Sequence, residues 1–128
     1  MTTLELYDLA ERDHIEVLDC PFLDREGVSG IFADGSCVIG LKRPLKAVLA
    51  HEMGHCETLS FYDEKSPFSV RGRCENRADK WAIRHIVPQD ELVQCIASGL
   101  ALWEIADHFD VDEKLIIKAV MLYWYGHI

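Results

Sequence analysis

Arg43-Pro44-Leu45-Lys46-Ala47-Val48-Leu49-Ala50-His51-Glu52-Met53-Gly54-His55-Cys56 is the stretch on which the reading of this chain turns. It reads as a helix whose proline sits in the first turn, where a missing N–H costs nothing. Residues four apart on a helix stand about 40° apart at roughly 100° per residue, so His51 and His55 share one face and form a clamp for a metal ion. Glu52 lies beside that face, where a carboxylate can take a proton from a metal-activated water, the arrangement a hydrolytic zinc site needs. Leu45, Leu49 and Cys56 make an apolar stripe next to the histidines, with Lys46 and Glu57 on the far side. The histidines are therefore expected at the edge of a buried face that opens toward a cleft. Gly54 lowers helix stability by about 1 kcal/mol relative to alanine, a loss that a backbone or substrate passing close to the metal would offset.

A catalytic zinc takes three protein ligands and keeps one position open. Glu75 is the expected third ligand, at the start of a second helical pattern that runs to Ile86 and is stopped by Pro88. On a helical wheel Glu75 and Asp79 share the inward arc with Ala78, Trp81, Ala82, His85 and Ile86, while Arg77, Lys80 and Arg84 lie opposite. That basic stripe reads first as a solvated face and second as a docking surface for an acidic segment. Asp79 is placed to accept the outer ring N–H of a ligating histidine, which would fix its tautomer and orientation. His85 has two readings, a donor to a developing oxyanion or a hydrogen-bonded core histidine. His14, His108 and His127 have no ligand-like spacing with the motif.

His51-Glu52-Met53-Gly54-His55, followed by Glu75-x-x-Ala78-Asp79-x-Trp81-Ala82 and Ile86-Val87-Pro88, resembles the ImmA/IrrE metallopeptidases, a branch of the zincins whose third ligand is a glutamate. The resemblance spans nearly the whole chain, including Gly30 to Gly35 and the helix around Leu9-Ala10. It implies a compact, minimal zincin-like domain holding one Zn²⁺ through His51, His55 and Glu75, with Glu52 as the catalytic base. It also implies an intracellular endopeptidase that cleaves a helix-turn-helix repressor and so acts as an antirepressor of a phage or mobile element. Two positions depart from the family pattern. Cys56 stands where members often carry a small polar residue or histidine, and the residue at Asp79 varies, so its role there follows zincin geometry.

Length and composition are those of a single domain, 1–128, of 128 residues with 49% hydrophobic residues and mixed charge, which excludes general disorder. No apolar run approaches a membrane span, and the start, Met1 to Asp8, lacks a basic and apolar leader, so a cytoplasmic protein is expected. Five cysteines without CxxC spacing read as free thiols in a reducing compartment. Cys56 reads as a buried packing thiol, and Cys74 would reach the metal only if the second helix began later than Glu75.

The expected fold is α+β, a small antiparallel sheet packed on a mainly helical core that carries the HExxH helix. Thr2-x-x-Glu5 is a capping box opening a helix to about Glu11, and His14 to Leu18 alternates like a strand. Gly30 to Ala33 and Ser36 to Leu41 read as a hairpin turned at Asp34-Gly35, along whose Ser36 to Leu41 edge a substrate would add as a strand. A long connection, Ser60 to Arg73, separates the ligand-bearing helices. Helices at about 89–125 are expected to pack on the catalytic core through Trp103, Ile105, Phe109, Leu115 and Ile116. Their spacing also resembles a helix-turn-helix. Asp110, Asp112 and Glu113 would then face phosphates, and the chain carries a formal charge of −9, so direct nucleic-acid binding is not expected. Tyr123, Trp124 and Tyr125 read as packing residues or an oligomer contact, which leaves the oligomeric state open. Two rival readings accompany the peptidase: a metal-containing regulator that sequesters a repressor without cutting it, and a structural metal clip between two helices.

Overall fold

Along the described residues, 1–126 of this computed structural model, the elements run α1 (Thr3–Arg12), β1 (Ile15–Asp19), β2 (Gly27–Ile31), β3 (Cys37–Leu41), α2 (Lys46–Thr58), α3 (Phe68–Ile86), α4 (Gln89–Ala97), α5 (Leu102–Phe109) and α6 (Glu113–Tyr125). His127 lies outside the described residues. The fold is α+β, as expected. α1 opens with the capping box: Thr2 Oγ1 accepts from the Glu5 N–H and the Glu5 carboxylate accepts from the Thr2 N–H. The β2–β3 hairpin turns through Asp34 and Gly35, where Gly35 has φ +86° and Asp34 Oδ1 accepts from the Ser36 N–H at 3.0 Å.

The sheet is mixed rather than antiparallel, in the order β1-β3-β2. β3 pairs antiparallel with β2 but parallel with β1. Burial explains why β3 is central: four of its five residues are buried, whereas β1 and β2 are more open, as edge strands are. The 20–26 connection carries the chain from β1 past β3's place to the opposite edge, so β1 and β2 never pair. The core fills the space between this sheet and the helices, with Leu6, Ile39, Leu41, Leu49, Met53, Ile83 and Ile86 fully enclosed.

Helix boundaries differ from the sequence reading at two places that matter. α2 begins at Lys46 with Leu45 as its N-cap, so Pro44 precedes the helix and Leu45 is exposed rather than part of the buried stripe. α3 begins at Phe68, seven residues before Glu75, and Glu75 therefore sits mid-helix on a rigid support. The connection between the two helices shrinks accordingly to 59–67.

α2 and α3 cross at Gly54. A Cβ built there would lie 2.5 Å from the Ala78 carbonyl oxygen and 2.8 Å from its Cα, so the backbone of α3 occupies the space of the missing side chain. At the C-terminal end, Ile105, Phe109 and Ile116 join the core and Leu115 is partly buried, but Trp103 is exposed. Tyr123 donates to the Val87 carbonyl at 2.8 Å, while Trp124 and Tyr125 are exposed. Among the described residues no helix is long and apolar enough to cross a membrane.

Candidate metal centre

His51 and His55 project from one face of α2, their rings 4.8 Å apart and nearly perpendicular. Glu75 reaches them from α3: its Oε2 lies 2.7 Å from His51 Nε2 and its Oε1 3.4 Å from His55 Nε2. The three groups place ligand atoms within 4.8 Å of one another, close enough to hold one metal ion. Donors bonded at about 2.0–2.1 Å to a tetrahedral ion stand roughly 3.3 Å apart, so small adjustments of these side chains close such a shell. The donor set also fits a divalent transition metal, since imidazole and carboxylate together favour that class.

Each ligand is held from behind. His51 Nδ1 lies 2.7 Å from Asp79 Oδ1, and Lys118 on α6 donates to the other Asp79 oxygen at 3.3 Å. His55 Nδ1 lies 2.6 Å from the Ser60 carbonyl oxygen. A ring that donates through Nδ1 presents its Nε2 lone pair, so both outer bonds select the tautomer a metal requires. Burial disfavours a charged His51 ring, but the Asp79 hydrogen bond and charge, reinforced by Glu52 and Glu75, outweigh it and raise the pKa above its ordinary value. The Asp79 carboxyl responds in the reverse sense: burial would raise it, yet His51 and Lys118 hold it below the usual range.

The Ser60 carbonyl is delivered by the way α2 ends. Leu59 adopts the left-handed conformation at φ +50°, the Leu59 N–H donates to the Cys56 carbonyl, and the Ser60 N–H donates to the His55 carbonyl at 3.0 Å. This paired bonding is a Schellman motif. It turns the chain back so that the residue just past the helix bonds the ring of a residue inside it. A leucine in this conformation costs about 1–2 kcal/mol, which surrounding contacts must offset.

Two further side chains complete the centre. Glu52 is buried under β2, and Ser29 Oγ donates to its Oε1 at 2.7 Å. Tyr62, on the connection after α2, donates to Glu75 Oε1 at 2.5 Å; that bond first, and burial second, push its phenol pKa up, so it stays a donor. Glu52 and Glu75 line two recesses that meet at the centre. One, of about 150 Å³, is walled by Val28, Phe61 and Tyr62. The other, of about 650 Å³, runs between the start of β2 and α6 over Ala47, Val48 and Leu115.

The structure brings together His51, Glu52, His55, Glu75 and Asp79 as the sequence arranged them. His85 does not join them. It lies ten residues beyond Glu75 on α3, about 15 Å along the axis, where its ring stacks on Trp81 and its Nδ1 lies 2.7 Å from the Trp81 carbonyl oxygen. That is the core-histidine alternative. Cys56 is buried, with burial and the neighbouring Cys37 thiol raising its pKa, as suits a packing thiol. Cys74 falls inside α3 and its thiol faces the Phe61 carbonyl at 3.6 Å, away from the ligand set.

The expected substrate edge also moves. β3 is covered on both sides, so the free edge beside the centre belongs to β2. Lys42 N–H donates to Glu26 and Phe32 N–H to Ser36 across the hairpin, which fixes its phase. Even-numbered β2 residues bond β3, and the backbone groups of Gly27, Ser29 and Ile31 face outward. Ser29, Ser60, Tyr62 and Lys118 carried no signal in the sequence; their roles come from tertiary placement. Comparison of the chain with protein-family models, curated proteins and solved structures finds no match.

Proposed function

We propose that the protein is a zinc-dependent endopeptidase in which one Zn²⁺ is held by His51, His55 and Glu75 and Glu52 is the general base. The observation that carries this reading is the division of labour among carboxylates: Glu75 faces both Nε2 atoms, whereas Glu52 is buried beside them and tethered to Ser29 rather than to either histidine. A purely structural clip needs no such base, and structural zinc sites use four protein ligands where this cluster offers three. Zinc in this position supplies Lewis-acid activation of the attacking water and the scissile carbonyl. Glu52 takes a proton from that water as it attacks and passes it to the leaving amine as the C–N bond breaks. Ser29 fixes the carboxylate so that proton transfer occurs at its other oxygen. An extended substrate adds to the β2 edge through the outward backbone groups of Gly27, Ser29 and Ile31, which sets the scissile bond over Glu52.

The resemblance to ImmA/IrrE proteins supports a helix-turn-helix repressor as substrate and relief of repression of a phage or mobile element as the outcome, in the cytoplasm. The test is incubation of the repressor-like protein encoded nearest this gene with the zinc-loaded protein and with a chelator-treated sample. Cleavage restricted to the zinc-loaded sample is expected. Stoichiometric zinc and tight repressor binding without cleavage would instead favour a regulator that sequesters its partner.

Tyr62 provides a second check on the metal site. Without its hydroxyl the Glu75 carboxylate loses the bond that orients it, and outer partners of metal ligands are commonly worth about tenfold or more in affinity. Tyr62→Phe is expected to bind zinc about tenfold more weakly in a competition titration against a chromophoric chelator, with the melting midpoint of the metal-free protein unchanged. Equal affinities would remove Tyr62 from the support of Glu75.

A further inference from the structure

We infer that the substrate carries an acidic side chain within the few residues that follow the scissile bond, and that Arg25 and Lys114 bind it. This rests on the peptidase reading and names its substrate class. The larger recess carries the argument, because its charges do not balance locally. Three carboxylates on its wall are already engaged: Glu26 with Arg43 at 2.8 Å, Asp79 with His51 at 2.7 Å, and Asp112 as the cap of α6, accepting from the Leu115 N–H at 2.9 Å. Glu52 and Glu75 belong to the centre itself. Of the three cations on the same wall, Lys118 is tied to Asp79, but among the described residues Arg25 and Lys114 form no ion pair. A chain with a formal charge of −9 thus turns two uncommitted cations toward its candidate cleft.

Antiparallel pairing, slightly more stable per residue than parallel, gives the side of the cut. A peptide added antiparallel to β2 runs from Ile31 toward Gly27, so the segment following the scissile bond passes over the recess that contains Gly27, Arg25 and Lys114. The preceding segment lies toward Phe61 and Tyr62; Arg25 lines both recesses and stands where they meet, beside the scissile bond, and Lys114 lines the larger one alone. The floor under the following segment is apolar, from Val48 and Leu115, with the cations at its rim. An acidic side chain among apolar neighbours matches that surface. Both cations are exposed, so each contributes a modest, salt-sensitive preference.

Two measurements test this. In the first, a peptide library from a denatured lysate is digested by the zinc-loaded protein and the cut sites are read by mass spectrometry. Aspartate and glutamate are expected to be enriched about threefold at the first three positions after the cut, and the enrichment should fall to background in an Arg25→Gln/Lys114→Gln variant whose melting curve shows it folded. Cutting without enrichment, or enrichment that survives the double substitution, overturns the inference and leaves the peptidase reading standing. The second measurement does not depend on turnover: zinc-loaded Glu52→Gln protein is titrated with a fluorescent alanine-leucine peptide bearing aspartates and with its asparagine counterpart. The aspartate peptide is expected to bind about threefold to fivefold more tightly at low salt, a difference lost in the Arg25→Gln/Lys114→Gln background. Equal binding of the two peptides overturns the inference even if no library peptide is cut, whereas absence of cutting alone counts against the peptidase reading.

Discussion

Gly54→Ala is expected to destabilise the protein and loosen its metal site together, although alanine is the better helix former. In isolation the substitution would favour α2 by about 1 kcal/mol. The crossing with α3 reverses the sign. The new methyl would meet the Ala78 carbonyl oxygen at 2.5 Å and Cα at 2.8 Å, and both are backbone atoms that no side-chain rotation can move. Gly54 and Ala78 are both fully enclosed, so relief requires the two helices to separate. Overpacking of this kind costs about 1–3 kcal/mol and occasionally more. The strain falls one residue from His55 and three from Glu75, on the two helices whose spacing sets the 3.4 Å approach of His55 Nε2 to Glu75. We therefore expect a melting midpoint lowered by several degrees in chelator and zinc affinity reduced at least tenfold, as when a site's supporting geometry is disturbed. A Gly54→Ala protein that melts like the parent and holds zinc as tightly would show that the crossing yields without cost.

The juxtaposition of His51, His55 and Glu75 was readable from the sequence because helical periodicity converts spacing into direction. A spacing of four from His51 to His55, and an inward arc containing Glu75 and Asp79, are enough to bring four side chains to one place once α2 and α3 pack face to face. The same wheel misplaced His85 because it reports angle and not height: His85 shares the arc of Glu75 but stands about 15 Å further along the axis. α3 extends seven residues ahead of Glu75 without a sequence signal, because Phe68 to Arg73 has no apolar stripe; Phe68 is exposed and Gly72 has open space around it, so nothing in the pattern marks those residues as helical. Strand order failed for a different reason. A period of two identifies a strand and its faces, but nothing local states that β3 lies between β1 and β2, so the free edge expected along Ser36 to Leu41 does not exist. The outer contacts of the centre depend on such features: Ser29 on the position of β2, the Ser60 carbonyl on a left-handed leucine, Lys118 on the docking of α6.

Glu52→Gln is expected to leave zinc binding intact and to reduce cleavage by about 10²- to 10⁴-fold, the usual range for loss of a general acid–base group. At 1.36 kcal/mol per tenfold this is roughly 3–5 kcal/mol of transition-state stabilisation. The substitution isolates chemistry from shape. A glutamine side chain has the size of glutamate, its carbonyl oxygen can accept the Ser29 hydroxyl in place of Oε1, and the three metal-facing groups are untouched. What it cannot do is accept the proton of the attacking water. Single-turnover cleavage, measured beside zinc stoichiometry and repressor affinity, separates the possible outcomes. A variant that binds metal and partner as the parent does and no longer cuts fixes the role of Glu52. One that still cuts within tenfold of the parent places the base elsewhere, and one that relieves repression fully without cutting makes sequestration the mechanism. The position of the residue argues for the first outcome. The Glu52 carboxylate is 8% exposed and accepts one hydrogen bond from Ser29, which leaves its other oxygen for a proton. On the proposed peptidase reading that free oxygen is the one that takes the proton, and a variant that binds metal and partner but does not cut is the outcome that reading expects.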